Sequence, residues 1–249
     1  MNFYSIASGS KGNATLIENE GRFLLLDMGV TWTCLNKALK ALNLNIYNVE
    51  ALLLTHGHSD HTKGVQYLPP LPIYCTKDTY DCSSVNVIIP FEPFEVIGLK
   101  ITPILASHDF NDTVGYIFEN QNEKFVYLTD TGYIPDKSLS YMKNADYYMI
   151  ESNHNLKMLY KSHRPITLKE RIASDVGHLS NEDSACYMIE LIGDKTKQIV
   201  LAHLSEECNT SELALETYKK KLHKAHIDVS KLEIITAKQR EMVIGGKQK

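Results

Sequence analysis

Apolar residues in this chain fall into short unbroken runs rather than long stripes. FLLLD (23–27), ALLLTH (51–56), ITPILASH (101–108), FVYLTD (125–130), YYMIE (147–151) and IVLAH (199–203) share one design. Each is apolar, in part β-branched or aromatic, and stops at a polar or ionisable side chain. Runs of this length predict strands buried on both faces. In layered α/β folds, ligands gather outside the strand ends. Strands ending at Asp27, His56, His108, Asp130, Glu151 and His203 therefore predict one shared site.

Helical periodicity occupies the spaces between. TCLNKALKALNL (33–44) has apolar residues at helical spacing. SNEDSACYMIELIG (180–193) opens with Ser180 and Asp183 in capping-box spacing and stops at Gly193. SELALETYKKKLHKA (211–225) follows Asn209 and Thr210, both good cap residues. Strands with few helices come first, then strand and helix alternate. A sheet-on-sheet core with helices outside accounts for that order. No linker, repeat or low-complexity segment interrupts it, so one domain of two similar halves is expected over 1–249.

Composition changes this picture little. The chain has 249 residues, 43% hydrophobic and 22% charged, which suits a sizeable core. No apolar stretch approaches the ~20 residues of a membrane span. The start, MNFYSIASGSKGN, lacks the basic flank and apolar run of a signal peptide. A cytoplasmic protein without a membrane partner is expected. Cys34, Cys75, Cys82, Cys186 and Cys208 form no CxxC pair, so reduced and mostly buried thiols are expected rather than a zinc ribbon. Net charge is −4. Any contact with nucleic-acid phosphates must then come from a local patch.

The chemistry concentrates in LLLTHGHSDHTKG (52–64), where His56, His58, Asp60 and His61 form H-x-H-x-D-H. His56 and His58 on an extended loop can point two imidazoles at one ion, and Asp60 and His61 can turn toward a second. Zinc takes imidazole nitrogen and carboxylate oxygen, usually with four or five ligands. The tetrad cannot complete two sites alone. His108, Asp130 and His203, each at a strand end, are the natural remaining ligands. His223 and His226 sit in a lysine-rich amphipathic stretch and read as surface residues.

H-x-H-x-D-H after an apolar strand, followed in order by His108, Asp130 and His203 and preceded by Asp27, resembles the metallo-β-lactamase superfamily. The resemblance covers nearly the whole chain. It implies an α/β fold, the metallo-β-lactamase four-layer αβ/βα sandwich, with a two-metal site at its edge. It implies that His56, His58 and His108 hold one metal, that Asp60, His61 and His203 hold the other, and that Asp130 bridges them. Asp27 would orient the ligand loop, as carboxylates behind metal ligands do. An aspartate at 130 looks like the hydrolases of phosphodiesters and thioesters, and His58 argues against the flavodiiron branch, which carries glutamate there.

Four further segments, SIASGSKGNATLIE (5–18), ESNHNLKML (151–159), RIASDVGHLSNEDSA (171–185) and LAHLSEECNT (201–210), are together similar to the YycJ/WalJ family, also called VicX. Those are cytoplasmic bacterial proteins described as 5′→3′ exonucleases on double-stranded DNA, with a suggested role in mismatch repair. The resemblance implies the ends of linear duplex DNA as partner and two divalent ions as cofactors, zinc or manganese, with iron also admitted. Homo-oligomer formation is left open.

Two such metals share a hydroxide that attacks phosphorus and clamp both the attacking and leaving oxygens. Asp60 would hold the water while binding metal. The leaving oxygen needs a proton. His178 is the candidate donor and Glu151 its orienter, since a similar Glu and His pair occurs in the related tRNA 3′-processing nucleases. The competing reading makes Glu151 and His178 a structural ion pair, or leaves them apart. His154, three residues from Glu151, reads as a substrate contact or third proton-transfer group. SGSKGN (8–13) reads first as a hairpin turn and second as a phosphate cradle.

The stretch 155–171 supplies Lys157, Lys161, Arg164, Lys169 and Arg171 against one acid, Glu170, with Tyr160 and His163 able to stack on a base. Lys157, Lys161 and Arg164 are the candidate backbone contacts. KKKLHKA (219–225) reads as an exposed helix face. The leading function is a metal-dependent DNA exonuclease. The runner-up is a phosphodiesterase on small cyclic or sugar phosphodiesters. A thioester hydrolase and a non-catalytic regulatory partner rank lower.

Overall fold

The structure is a computed structural model that describes residues 1–81 and 85–247. Cys82 lies outside the described residues. The chain lays down β1 (Asn2–Ala7), β2 (Ala14–Asn19), β3 (Arg22–Leu26), β4 (Val49–Leu53), β5 (Ile73–Cys75) and β6 (Val85–Val87) as one sheet. It then builds a second sheet from β7 (Phe94–Val96), β8 (Leu99–Leu105), β9 (Val114–Glu119), β10 (Lys124–Leu128), β11 (Tyr147–Glu151), β12 (Gln198–Ala202) and β13 (Glu233–Thr236). The last strand, β14 (Val243–Gly246), returns to pair with β1. The spatial orders are β14-β1-β2-β3-β4-β5-β6 and β13-β12-β11-β10-β9-β8-β7.

Side-chain alternation explains why both sheets are covered twice. In β11, Tyr147 and Met149 face the other sheet, while Tyr148 and Ile150 face the helices. β12 repeats this with Val200 and Ala202 inward and Ile199 and Leu201 outward. All five residues of each strand are buried. Burying each large apolar side chain contributes about 1.5–3 kcal/mol. The core between the sheets joins Phe3, Leu24 and Leu53 from the first to Tyr116, Phe125 and Met149 from the second. Two sheets packed face to face with helices on both outer sides make the expected four-layer αβ/βα sandwich.

Helices close the two outer faces. α1 (Trp32–Ala41) covers the first sheet through Leu35, Ala38 and Leu39. The short α2 (Ser59–Thr62) lies in the histidine-rich loop. α3 (Asp136–Met142), α4 (Leu156–Lys161), α5 (Ile166–Ile172), α6 (Asn181–Leu191) and α7 (Ser211–Lys224) follow. α6 and α7 cover the second sheet through Ala185, Met188, Tyr218 and Leu222. Ser180 caps α6 by accepting from Asp183 N at 3.1 Å, and Thr210 caps α7 by accepting from Leu213 N at 3.1 Å.

Two helix ends differ from expectation. α1 stops at Ala41, not 44, because Asn43 adopts φ 57° and Leu44 N bonds back to Leu39 O at 2.8 Å. α6 stops at Leu191, two residues before Gly193, because Ile192 turns extended at ψ 134°. Among the described cysteines, Cys75 and Cys208 are buried, Cys34 is half-buried and Cys186 is exposed, so the thiols are less uniformly buried than expected. Among the described residues no helix is long and apolar enough to cross a membrane.

Candidate active site

Strand direction brings the ionisable residues to one edge. β3 and β4 are parallel, as are β10, β11 and β12. β8 and β10 are both antiparallel to β9, so β8 runs the same way as β10. All six strands singled out in the sequence thus finish on the same side of their sheets. At three of those ends the next residue or the one after is left-handed without being glycine: Asp27 at φ 59°, Asp130 at φ 56° and His203 at φ 54°. Each such residue costs on the order of 1–3 kcal/mol and persists only where the surroundings fix it. Here they do. Asp27 N donates to Leu53 O at 2.8 Å, and His203 N donates to Ser8 Oγ at 2.8 Å.

The histidine-rich loop is held from behind by two buried residues. Asp27 accepts from Thr55 N at 2.9 Å, from the Thr55 hydroxyl at 3.1 Å, and from His61 Nδ1 at 2.7 Å. With its hydrogen on Asp27, the Thr55 oxygen accepts from His56 Nδ1 at 3.0 Å. Both imidazoles therefore spend Nδ1 on support and turn Nε2 into the site. This fixes the tautomer that metal ligation requires. Burial disfavours a charge on His61, but the Asp27 and Asp130 carboxylates outweigh it and raise its pKa to about 10. Gly29 allows the loop to close, since a Cβ there would lie 1.5 Å from the Asp60 carbonyl oxygen.

The other side is organised by Glu151, which is fully buried. Its Oε1 accepts from His203 Nδ1 at 2.8 Å and from His178 Nδ1 at 2.9 Å. Its Oε2 accepts from the backbone N of Thr131 at 3.0 Å and of Leu179 at 3.1 Å. Burial alone would raise the Glu151 pKa, yet the His178 and His203 imidazoles carry it down to about 2. A carboxylate only accepts, so both imidazoles hold their proton on Nδ1. His108 donates Nδ1 to the Gly177 carbonyl at 3.2 Å. The His178 ring lies 5.2 Å from the rings of both His108 and His203.

The donors that remain suit cations. His56 Nε2, His203 Nε2 and Asp130 Oδ2 are buried and carry no hydrogen bond. Leaving such groups unmatched costs about 1–3 kcal/mol each. Their neighbours are more donors: His56, His58 and His108 form one group, Asp60, His61 and His203 a second, and His56, His61 and Asp130 a third, with ligand atoms within 4.8 Å of one another. A fourth group, Asp130, Glu151, His178 and His203, meets the same distance. There, however, Glu151 Oε1 and both Nδ1 atoms are already spent on one another. Imidazole and carboxylate in these groups fit divalent metal ions.

Several site neighbours were not among the candidate site residues. Asn13, at the end of the β1–β2 hairpin, brings Nδ2 within 2.9 Å of His61 Nε2. Asp109 Oδ1 lies 3.2 Å from His108 Nε2 and 3.7 Å from His58 Nε2, and its carboxylate pairs with Arg171. Asn153 Nδ2 donates to the His203 carbonyl at 2.8 Å. Thr55 and Asp109 were findable by position, since each adjoins a candidate ligand, His56 and His108.

The basic stretch is less uniform than its composition suggests. Lys157 and Lys161 are exposed. Arg164 is engaged by Glu207 at 2.9 Å. Lys169 is buried and donates to the Tyr160 carbonyl at 2.9 Å, which removes it from the patch. His154, expected at the substrate, is instead 1% exposed, with neither ring nitrogen hydrogen-bonded. Burial lowers its pKa to about 4, so the ring is neutral.

Comparisons with known proteins agree with this geometry. A family model described as a β-lactamase superfamily domain matches residues 22–204. The chain is 36% identical over 227 residues to a Bacillus anthracis protein named exodeoxyribonuclease YycJ, covering 86% of each chain. It is 37% identical over 242 residues to exodeoxyribonuclease WalJ of Streptococcus pneumoniae, covering 91% of this chain and 90% of that one. The chain belongs to the YycJ/WalJ family of the metallo-β-lactamase superfamily. As a member it is a metal-dependent hydrolase, and the histidine and carboxylate groups above are its metal-binding candidates. The metallo-β-lactamase-fold protein YhfI from Bacillus subtilis shares the fold, with a TM-score of 0.73 at 17% identity over 98% of this chain and 99% of that one.

Proposed function

We propose that this chain hydrolyses phosphodiester bonds in linear duplex DNA, working 5′→3′ from an end in the cytoplasm. The observation that carries the reading is Glu151, which sets one carboxylate oxygen between His203 and His178. His203 thereby faces the metal group with a bare Nε2, while His178 stands beside it without joining the Asp60–His61 set.

Two divalent ions fit the donor groups: His56, His58 and His108 would hold one, and Asp60, His61 and His203 the other, with Asp130 reaching both. When bound, such ions supply a hydroxide nucleophile near neutral pH and offset the charge of the phosphate. The chain's own residues do the rest. Asp60 orients the attacking water through the oxygen not engaged with His61 or His203. His178 keeps its Nδ1 proton on Glu151 and delivers a proton from Nε2 to the departing sugar oxygen. Glu151 holds that ring in place through Nδ1. Asp27 and Thr55 keep the ligand loop rigid.

The Glu151–His178 pair favours a diester over a thioester. A sugar alkoxide is a poor leaving group and needs its proton, whereas a thiolate leaves without one. Lys157 and Lys161 would meet phosphates outside the site.

Digestion of end-labelled linear duplex DNA by manganese-loaded protein tests this reading, with Asp60→Asn as control. Loss of nucleotides from the 5′ end, absent in the variant, is the expected result. Intact DNA alongside cleavage of a small cyclic phosphodiester would overturn the duplex assignment and favour the small-substrate reading.

A further inference from the structure

The fold brings together two basic stretches that lie far apart in sequence. Lys157, in the first turn of α4, faces Lys220, Lys221 and Lys224 of α7 across a groove of about 580 Å³, with Glu182 and Glu216 in its walls. Lys221 is held by Glu182 at 3.5 Å. Among the described residues no carboxylate pairs with Lys157, Lys220 or Lys224. Four lysines against two glutamates leave a positive surplus in a protein whose net charge is −4.

Stability does not account for this convergence. Cations in the last turn of α7 complement its helix dipole. Lys157 gains nothing of the kind, because it sits near the positive end of α4. Bringing it toward three other lysines adds repulsion that Glu182 and Glu216 offset in part and that a bound polyanion would relieve further. Lys220 and Lys224 share one face of α7, about 6 Å apart along the axis. That is close to two base-pair steps of about 3.4 Å on one DNA strand.

Two of the segments that line the groove lie close in sequence to candidate active-site residues. α4 follows the strand that ends at Glu151, and Glu182 follows His178 by one short turn into α6. A buried asparagine pair holds these segments together: Asn209 Nδ2 donates to Ser152 O at 2.9 Å and to Asn181 Oδ1 at 2.8 Å. The rest of the groove runs along α7, on the outside of the second sheet.

We propose that this groove binds the sugar–phosphate backbone of duplex DNA beyond the end being cleaved. The proposal rests on the DNA reading above. Lys220 and Lys224 contact phosphates there, and Lys157 links the groove to the active site.

The test uses the full-length protein and a labelled linear duplex, with binding read by fluorescence anisotropy over a salt series. Lys220→Gln with Lys224→Gln, placed in the Asp60→Asn background, is compared with that background alone. Each lost phosphate contact lowers the slope of log K against log salt by about 0.9, so a fall of about 2 is expected. Hydrolysis of bis(p-nitrophenyl) phosphate by the same lysine changes in the otherwise wild-type enzyme should stay unchanged. Lys37→Gln with Lys40→Gln on α1, on the opposite outer face, should leave the slope unaltered. An unchanged slope in the α7 variant, with the parent still binding and the wild type cutting duplex, overturns the groove alone. A parent that does not bind duplex, with a wild type that leaves duplex intact while hydrolysing the small diester, overturns the DNA reading and the groove with it.

Discussion

The two halves of the candidate centre reach the same edge by different means. The first sheet keeps its ligands in one loop, where His56, His58, Asp60 and His61 are supported from behind by Asp27 and Thr55. The second sheet spreads them over separate connections, with His108, Asp130, His178 and His203 each arriving from a different one. Glu151 ties three of those connections together, through His178, His203 and the backbone of Thr131. The loop half is thus a local device with its own pair of supports, and the dispersed half is a network with a shared anchor. Damage should stay confined in the first and spread in the second.

Asp130→Ala should have the largest effect, because Asp130 is grouped with His56 and His61 from the loop and lies 3.5 Å from His203 Nδ1. Elemental mass spectrometry should find one ion or none per chain, and diester hydrolysis should fall to background. Retention of both ions would break the idea that the halves meet at this carboxylate.

Next comes His178→Ala, with kcat for DNA expected to drop by about 10²–10⁴-fold while metal content holds. An aryl phosphodiester, whose leaving group needs no proton, should lose far less. An equal loss on both substrates would reduce His178 to a structural role.

Asp27→Asn should be milder, weakening metal affinity by about 10–100-fold in a chelator competition, with the fold intact. A loss confined to the loop half would sharpen the comparison, while a loss of the His178 contribution would blur it. Smallest of all is Arg164→Ala. Its partner Glu207 is 49% exposed, so the pair contributes about 0.2–1 kcal/mol. Thermal unfolding should barely move, and a large drop would mean that the pair fastens the α4–α5 connection to the loop after His203 more firmly than its exposure implies.

The same contrast explains what the sequence made legible. Ligands in a loop sit at fixed short spacing, so H-x-H-x-D-H reads as a metal motif before any strand is paired. The dispersed residues were legible only as strand ends, and the six apolar runs that finish at Asp27, His56, His108, Asp130, Glu151 and His203 do lead to one edge. The contact between Glu151 and His178 depends on tertiary pairing, so sequence could pose it but not decide it.

Asp109 and Asn153 were not singled out because single polar residues in loops have no periodicity to betray them, and Asn13 was legible only as part of SGSKGN, not as a neighbour of His61. His154 and Lys169 misled for the opposite reason. Each belongs to a polar or basic stretch, and only packing shows that both are buried. The left-handed backbone at Asp27, Asp130 and His203 also has no sequence mark, because glycine is absent where it would be expected.

The central claim is that two half-sites, one from each sheet, combine to hold two ions. Counting divalent ions per chain at saturating metal tests it most directly, in wild type, His58→Ala and His203→Ala. Two ions in the wild type and one in each variant are expected, since the two histidines belong to different donor groups. A wild type that binds only one ion, or a His203→Ala protein that keeps two, would contradict it.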